Sequence, residues 1–170
     1  ADPVLNNIFI LDNIAATNGG GIAIRDNSNP TLSNMTITNN STSSNSYDGR
    51  GGGMYLFWSS PIIMDVSIAN NSAYSGGGIH IEEGSSPSLS NMTISGNTST
   101  SNGGGIHVSH ANPILNNITI ANNVAGGGGG MFIWGSNSTL TGVVFSDNTA
   151  EFGGGIYIGY TGNSIFIMNV

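Results

Sequence analysis

The chain has 170 residues, a length that suits one domain, and Gly, Asn, Ser and Thr make up just over half of it. Lys, Gln and Cys are absent and charged residues amount to 6%, so helix surfaces, disulfides and thiolate metal sites are excluded. Two arginines against nine acids leave a net charge of −7, which argues against nucleic acid as a partner, and no apolar run is long enough to span a bilayer. No secretory leader is visible, and Ala1-Asp2-Pro3 reads as a mature start or a cut inside a longer protein.

In chain order the sequence is a repeat. Each unit opens on a proline column, Pro3, Pro30, Pro61, Pro87 and Pro113, with Ser138 taking the sixth place. An inward aliphatic follows two residues on: Leu5, Leu32, Ile63, Leu89, Leu115 and Leu140. Next come two alternating columns, Ile8, Met35, Val66, Met92, Ile118, Val143 and Ile10, Ile37, Ile68, Ile94, Ile120, Phe145. An asparagine closes this stretch without exception, at Asn13, Asn40, Asn71, Asn97, Asn123 and Asn148. A glycine triplet then precedes Ile22, Met54, Ile79, Ile106, Met131 and Ile156, followed two residues on by Ile24, Leu56, Ile81, Val108, Ile133 and Ile158.

Apolar residues alternate within each unit, which means strand. The pattern predicts a strand after the glycines, a short one around the Leu89 column and one around Met92–Ile94. Strands this short bury nothing alone, but stacked coils place equivalent residues about 4.8 Å apart in columns. The fold predicted is therefore all-β: a single-stranded parallel β-helix of about six coils of 25–27 residues, forming one domain over 1–170. The first glycine interval is longer because residues 41–50 carry an insertion, read as a surface loop. The segment from Asn163 to Val170 resembles the start of a seventh unit.

The asparagine column is expected to form a ladder, because stacked amides can donate and accept along a column and cap turn backbone. An amide neither titrates nor attacks, so the column is structural.

The outward face of the strand after the glycines reads Ala23, Tyr55, His80, His107, Phe132, Tyr157, and two residues on Arg25, Phe57, Glu82, Ser109, Trp134, Gly159. Tyr55, Phe57, His80, His107, Phe132, Trp134 and Tyr157 are expected to form an exposed aromatic strip, a contact surface for another subunit or for sugar rings. His80 and His107 on neighbouring coils raise the thought of a shared metal, but the favoured reading is a stacked surface pair beside an acid, so neither metal nor cofactor is expected.

A third face carries Thr36, Ser67, Thr93, Thr119 and Thr38, Ser95 in outward rows, similar to the Thr-x-Thr surface of β-solenoid ice-binding proteins. Thr is also a good exposed strand residue with no further role. Asn-x-Ser/Thr sequons begin at eight asparagines, two of which, Asn40 and Asn97, belong to the expected ladder.

The residues Phe145-Ser146-Asp147-Asn148, then Gly153-Gly154-Gly155-Ile156, resemble the paired motifs of the polymorphic outer membrane protein repeat. Other units carry Ile in the Phe position, as in Ile94-x-x-Asn97. The whole chain resembles right-handed parallel β-helix surface proteins. That resemblance supplies the hand of the helix and implies an extracellular, adhesin-like rod; it transfers no catalytic residue.

Many such helices cleave polysaccharides, which requires clustered acids or an acid with a basic partner. Here the acids scatter, with no pair on adjacent coils of one column. The expected function is thus a non-catalytic structural or adhesive protein at the cell surface or outside the cell. Its expected partners are copies of itself or neighbouring solenoid segments, and possible glycans. Carbohydrate or ice binding is the alternative, and a lyase or hydrolase comes last.

Overall fold

The computed structural model describes residues 2–160 in full and the backbone of 166–168. Every strand pairing in it is parallel, and each joins one coil to the next. The molecule is a right-handed β-solenoid with three sheets along its axis.

The first sheet holds the strands that follow the glycine triplets: Ile22–Arg25, Met54–Phe57, Ile79–Glu82, Ile106–Ser109, Met131–Trp134 and Ile156–Gly159. The second holds five strands of eight residues, from Thr31–Thr38 to Thr139–Ser146. In the first coil this strand is split into Val4–Asn6 and Phe9–Leu11, and Phe166–Met168 adds a seventh level by pairing with Thr139–Thr141. The rest of the expected seventh unit, Asn163–Ile165 with Asn169 and Val170, lies outside the described residues.

The long strands correct one expectation. The Leu89 and Met92–Ile94 segments are not two strands but one, Ser88–Ser95. The residue between them, Asn91, takes φ 52°, as do its column mates Asn34 at 52°, Asp65 at 56° and Asn117 at 54°. A single left-handed residue bends the strand and skips the alternation once, so Leu89 and Met92 both face inward. Asn, Asp and Gly tolerate that conformation, and Gly142 takes the last place.

The third sheet was not foreseen. It is built from short segments just after the asparagine column, from Ile14–Ala15 through Ser72–Ala73 and Thr98–Ser99 to Thr149–Phe152. It also corrects the insertion. Ser41–Thr42 is a strand of this sheet and Arg50 bridges to Ser75, so only residues 43–49 leave the coil.

The predicted aliphatic columns form the core, with Leu32, Ile63, Leu89, Leu115 and Leu140 all fully buried, but Ile158, expected inward in the sixth coil, is exposed. Each such side chain contributes roughly 1.5–3 kcal/mol by leaving water. The glycine triplets let coils meet closely: a Cβ on Gly104 would lie 2.5 Å from the Gly129 carbonyl oxygen.

Candidate functional site

The asparagine column forms a hydrogen-bonded ladder. Each Oδ1 accepts from both the backbone N–H and the Nδ2 of the asparagine one coil earlier. For Asn97 these distances are 2.9 and 3.0 Å from Asn71. Its own Nδ2 donates onward to Asn123 Oδ1 at 3.0 Å and back to the Ile68 carbonyl at 3.0 Å. Asn40, Asn71 and Asn123 repeat the pattern, Asn13 and Asn148 occupy its two outer rungs, and the four inner members are buried. Both lone-pair sites and both amide protons of each inner rung are engaged, so the column offers nothing to a ligand.

The aromatic strip departs from expectation. Its centre is covered: Tyr55, His80, His107 and Phe132 are buried, Phe57 and Tyr157 are half-buried, and only Trp134 is exposed. The rings follow one another along the axis, Tyr55 tilted against His80 and the rest stacked. Centroids lie 5.9 Å apart for Tyr55–His80, 4.4 Å for His80–His107, 4.9 Å for His107–Phe132 and 4.9 Å for Phe132–Tyr157. His107 and Phe132 are covered by the rings on either side of them, whereas the burial of Tyr55 and His80 has a nonlocal reason. Arg50, at the end of the insertion, reaches 32 positions along the chain to Glu82, and Tyr47 packs against Tyr74 beside it.

Glu82 is the hub of this cover. Its Oε1 accepts from Arg50 Nη1 at 2.5 Å and from the Tyr55 hydroxyl at 2.5 Å, and its Oε2 accepts from His80 Nε2 at 3.2 Å. Burial alone would raise the carboxyl pKa. The hydrogen bonds from His80 and Tyr55 and the Arg50 charge outweigh it and hold the group down at about 2. Burial, reinforced by the bond to Glu82, pushes the Tyr55 hydroxyl up. Burial likewise pushes His80 down, and His107 further, with His80 beside it. Both imidazoles are therefore neutral near pH 7.

A neutral His80 that donates from Nε2 keeps a bare Nδ1, and that atom is buried with no hydrogen-bond partner. His107 Nδ1 is 2.8 Å from Ser75 Oγ. The two imidazole planes are 9° apart, so their lone pairs run parallel instead of converging on one ion. Among the described residues no three His, Cys, Asp or Glu side chains are grouped to hold a metal.

Between the covering segments and the strip lies a cleft of about 330 Å³. Arg50, Glu82, His80 and His107 line it with the rings of Tyr47, Tyr74, Phe132 and Trp134. A second hollow of about 410 Å³, between Thr100 and Tyr157, shares Ser101, Asn102 and Phe132 with the first, so the two abut along the axis. Arg50, Tyr47, Tyr74, Ser75, Ser101 and Asn102 are the members that sequence reasoning missed. One signal was available: Arg50 is one of two arginines, placed where the inserted segment rejoins the repeat.

The flat face lies on the long-strand sheet in the expected register, Thr36 beside Ser67 and Thr93 beside Thr119. Thr93 and Thr119 are exposed, whereas Thr36, Thr38, Ser67 and Ser95 are half-buried. Thr38 Oγ1 donates to the Ala69 carbonyl at 2.8 Å, and Ile62 and Ile114 stand exposed on the same sheet.

The fold and its ladder define a class, the parallel β-solenoids. Within it, the family model of the right handed beta helix region matches residues 3–125, and the chain belongs to that family. The model of the Chlamydia polymorphic membrane protein repeat matches residues 142–159, the stretch holding Phe145, Asn148 and the last glycine triplet. No curated protein and no solved structure matches the chain.

Proposed function

We propose that this chain is a non-catalytic structural and adhesive protein, displayed at a cell surface or outside the cell. It is a stiff rod that joins copies of itself or neighbouring solenoid segments in a filament or stalk. One observation carries the reading: the asparagine ladder and the aliphatic columns run through all six coils, so side-chain chemistry is committed to axial cohesion. The match to a membrane protein repeat supports the surface location. The non-catalytic part is supported by the state of Glu82, held ionised by three donors and without a second carboxylate in its cleft. A carboxylate so saturated is a poor general acid or base.

Electron microscopy of the native, untreated material tests the reading. The expected result is long fibres or stalks with a regular axial repeat, on the order of 30 Å for six coils. Isolated short particles, found inside cells and never joined to one another or to a longer body, would overturn it.

A further inference from the structure

The cleft over the aromatic strip has features that cohesion of the coils does not require. Its rings change identity from coil to coil, Tyr55, His80, His107, Phe132 and Tyr157, whereas the ladder and core columns are nearly uniform. Its walls combine the rings of Trp134 and Tyr74 and the edge of Phe132, whose faces are taken by His107 and Tyr157, with the hydroxyls and amide of Ser101, Ser109 and Asn102. Its floor includes the ring of His80. Convergent polar groups among aromatic walls, in a volume of about 330 Å³, describe a small-molecule site at the lower end of the usual size range.

The charge of the site selects among ligands. Arg50 and Glu82 are paired with each other at 2.5 Å, so the cleft has no net charge once both imidazoles are neutral. A polyanion would meet this neutral site on a chain of net charge −7, and a cation would find no carboxylate in the lining besides Glu82, which Arg50 already pairs. What fits is an uncharged ligand with a flat C–H face to lie on an aromatic ring and a rim of hydroxyls to exchange hydrogen bonds with the walls. The continuation into the second hollow suits a chain of such units laid along the axis.

We infer that the cleft binds a neutral saccharide, stacked on Trp134 and hydrogen-bonded by Ser101, Asn102 and Ser109. This goes beyond the rod reading and does not rest on it, since a rod that never associates would still carry the cleft.

Titration of the purified full chain with neutral hexose oligosaccharides, with oligogalacturonate as the acidic counterpart, tests the inference through tryptophan emission and saturation-transfer NMR. A neutral oligosaccharide should bind with sub-millimolar Kd, and the acidic one should bind at least tenfold more weakly. Trp134→Ala should weaken binding about tenfold, equivalent to ~1.4 kcal/mol. Trp58→Ala removes an exposed aromatic outside the cleft and should change binding less than twofold. Ser101→Trp, which fills the cleft from its wall, should abolish binding while circular dichroism stays unchanged. Silence from every neutral sugar at 10 mM, tighter binding of the acidic one, or indifference to both Trp134→Ala and Ser101→Trp would overturn the inference.

Discussion

Two columns run the length of this solenoid and obey opposite rules. The asparagine corner repeats one residue six times, buries it and satisfies it within the column. The aromatic column on the first sheet changes residue at almost every coil and is covered by a segment that interrupts the repeat. Uniformity serves cohesion, because each rung presents to the next what the previous rung presented to it. Variation is not required by the stack, and it is the observation behind the saccharide proposal.

The comparison can be broken most forcefully at the ladder. Asn97→Leu keeps the volume but strands the backbone N–H of Asn71 and removes one bond each from Asn71 Nδ2, the Ile68 carbonyl and Asn123 Oδ1. It should cost about 4 kcal/mol in urea unfolding, since a buried polar group without a partner costs 1–3 kcal/mol. Glu82→Gln, the equivalent change in the variable column, should cost about 2 kcal/mol. It should also speed proteolysis within residues 43–49, because Arg50 loses its charged partner.

Acid sharpens the contrast further, since the variable column holds titratable groups and the asparagine ladder holds none. His80 and His107 are neutral when folded, so below about pH 6.5 the unfolded chain gains protons that the native one refuses, and stability falls. Glu82 has the reverse chemistry and the same outcome. Its stabilisation is complete above pH 4.5 and is lost as pH falls towards about 2. His107→Phe preserves the stack and should roughly halve the slope of stability against pH just below 6.5. The smallest effect expected is from Thr93→Lys on the flat face, within ~0.5 kcal/mol in thermal unfolding. A loss several times larger would mean that this face is packed against something.

The coils, the aliphatic columns and the ladder were legible because they depend on residues one repeat apart, which periodicity displays. The bend at Asn91 was not, because a left-handed residue inside a strand reads as a polar gap between two strands. The third sheet was missed because segments such as Thr98–Ser99 are too short to show any alternation. Burial of Tyr55 and His80 was misjudged for a different reason. It depends on where the inserted segment lands, and the contact between Arg50 and Glu82 belongs to no repeat.

The ladder also gives the rod a direction. Each of its amides donates to the following coil and accepts from the preceding one, so the carbonyl dipoles along the corner add instead of cancelling. The parallel strands share that one-way sense. Turning such a rod end for end does not reproduce it, so two copies meeting along the axis join unlike surfaces. Contacts of that kind do not close on themselves as a twofold pair would; they propagate. In the proposed filament the two ends would then differ, and the orientation of the carboxamides would distinguish them as surely as the direction of the strands.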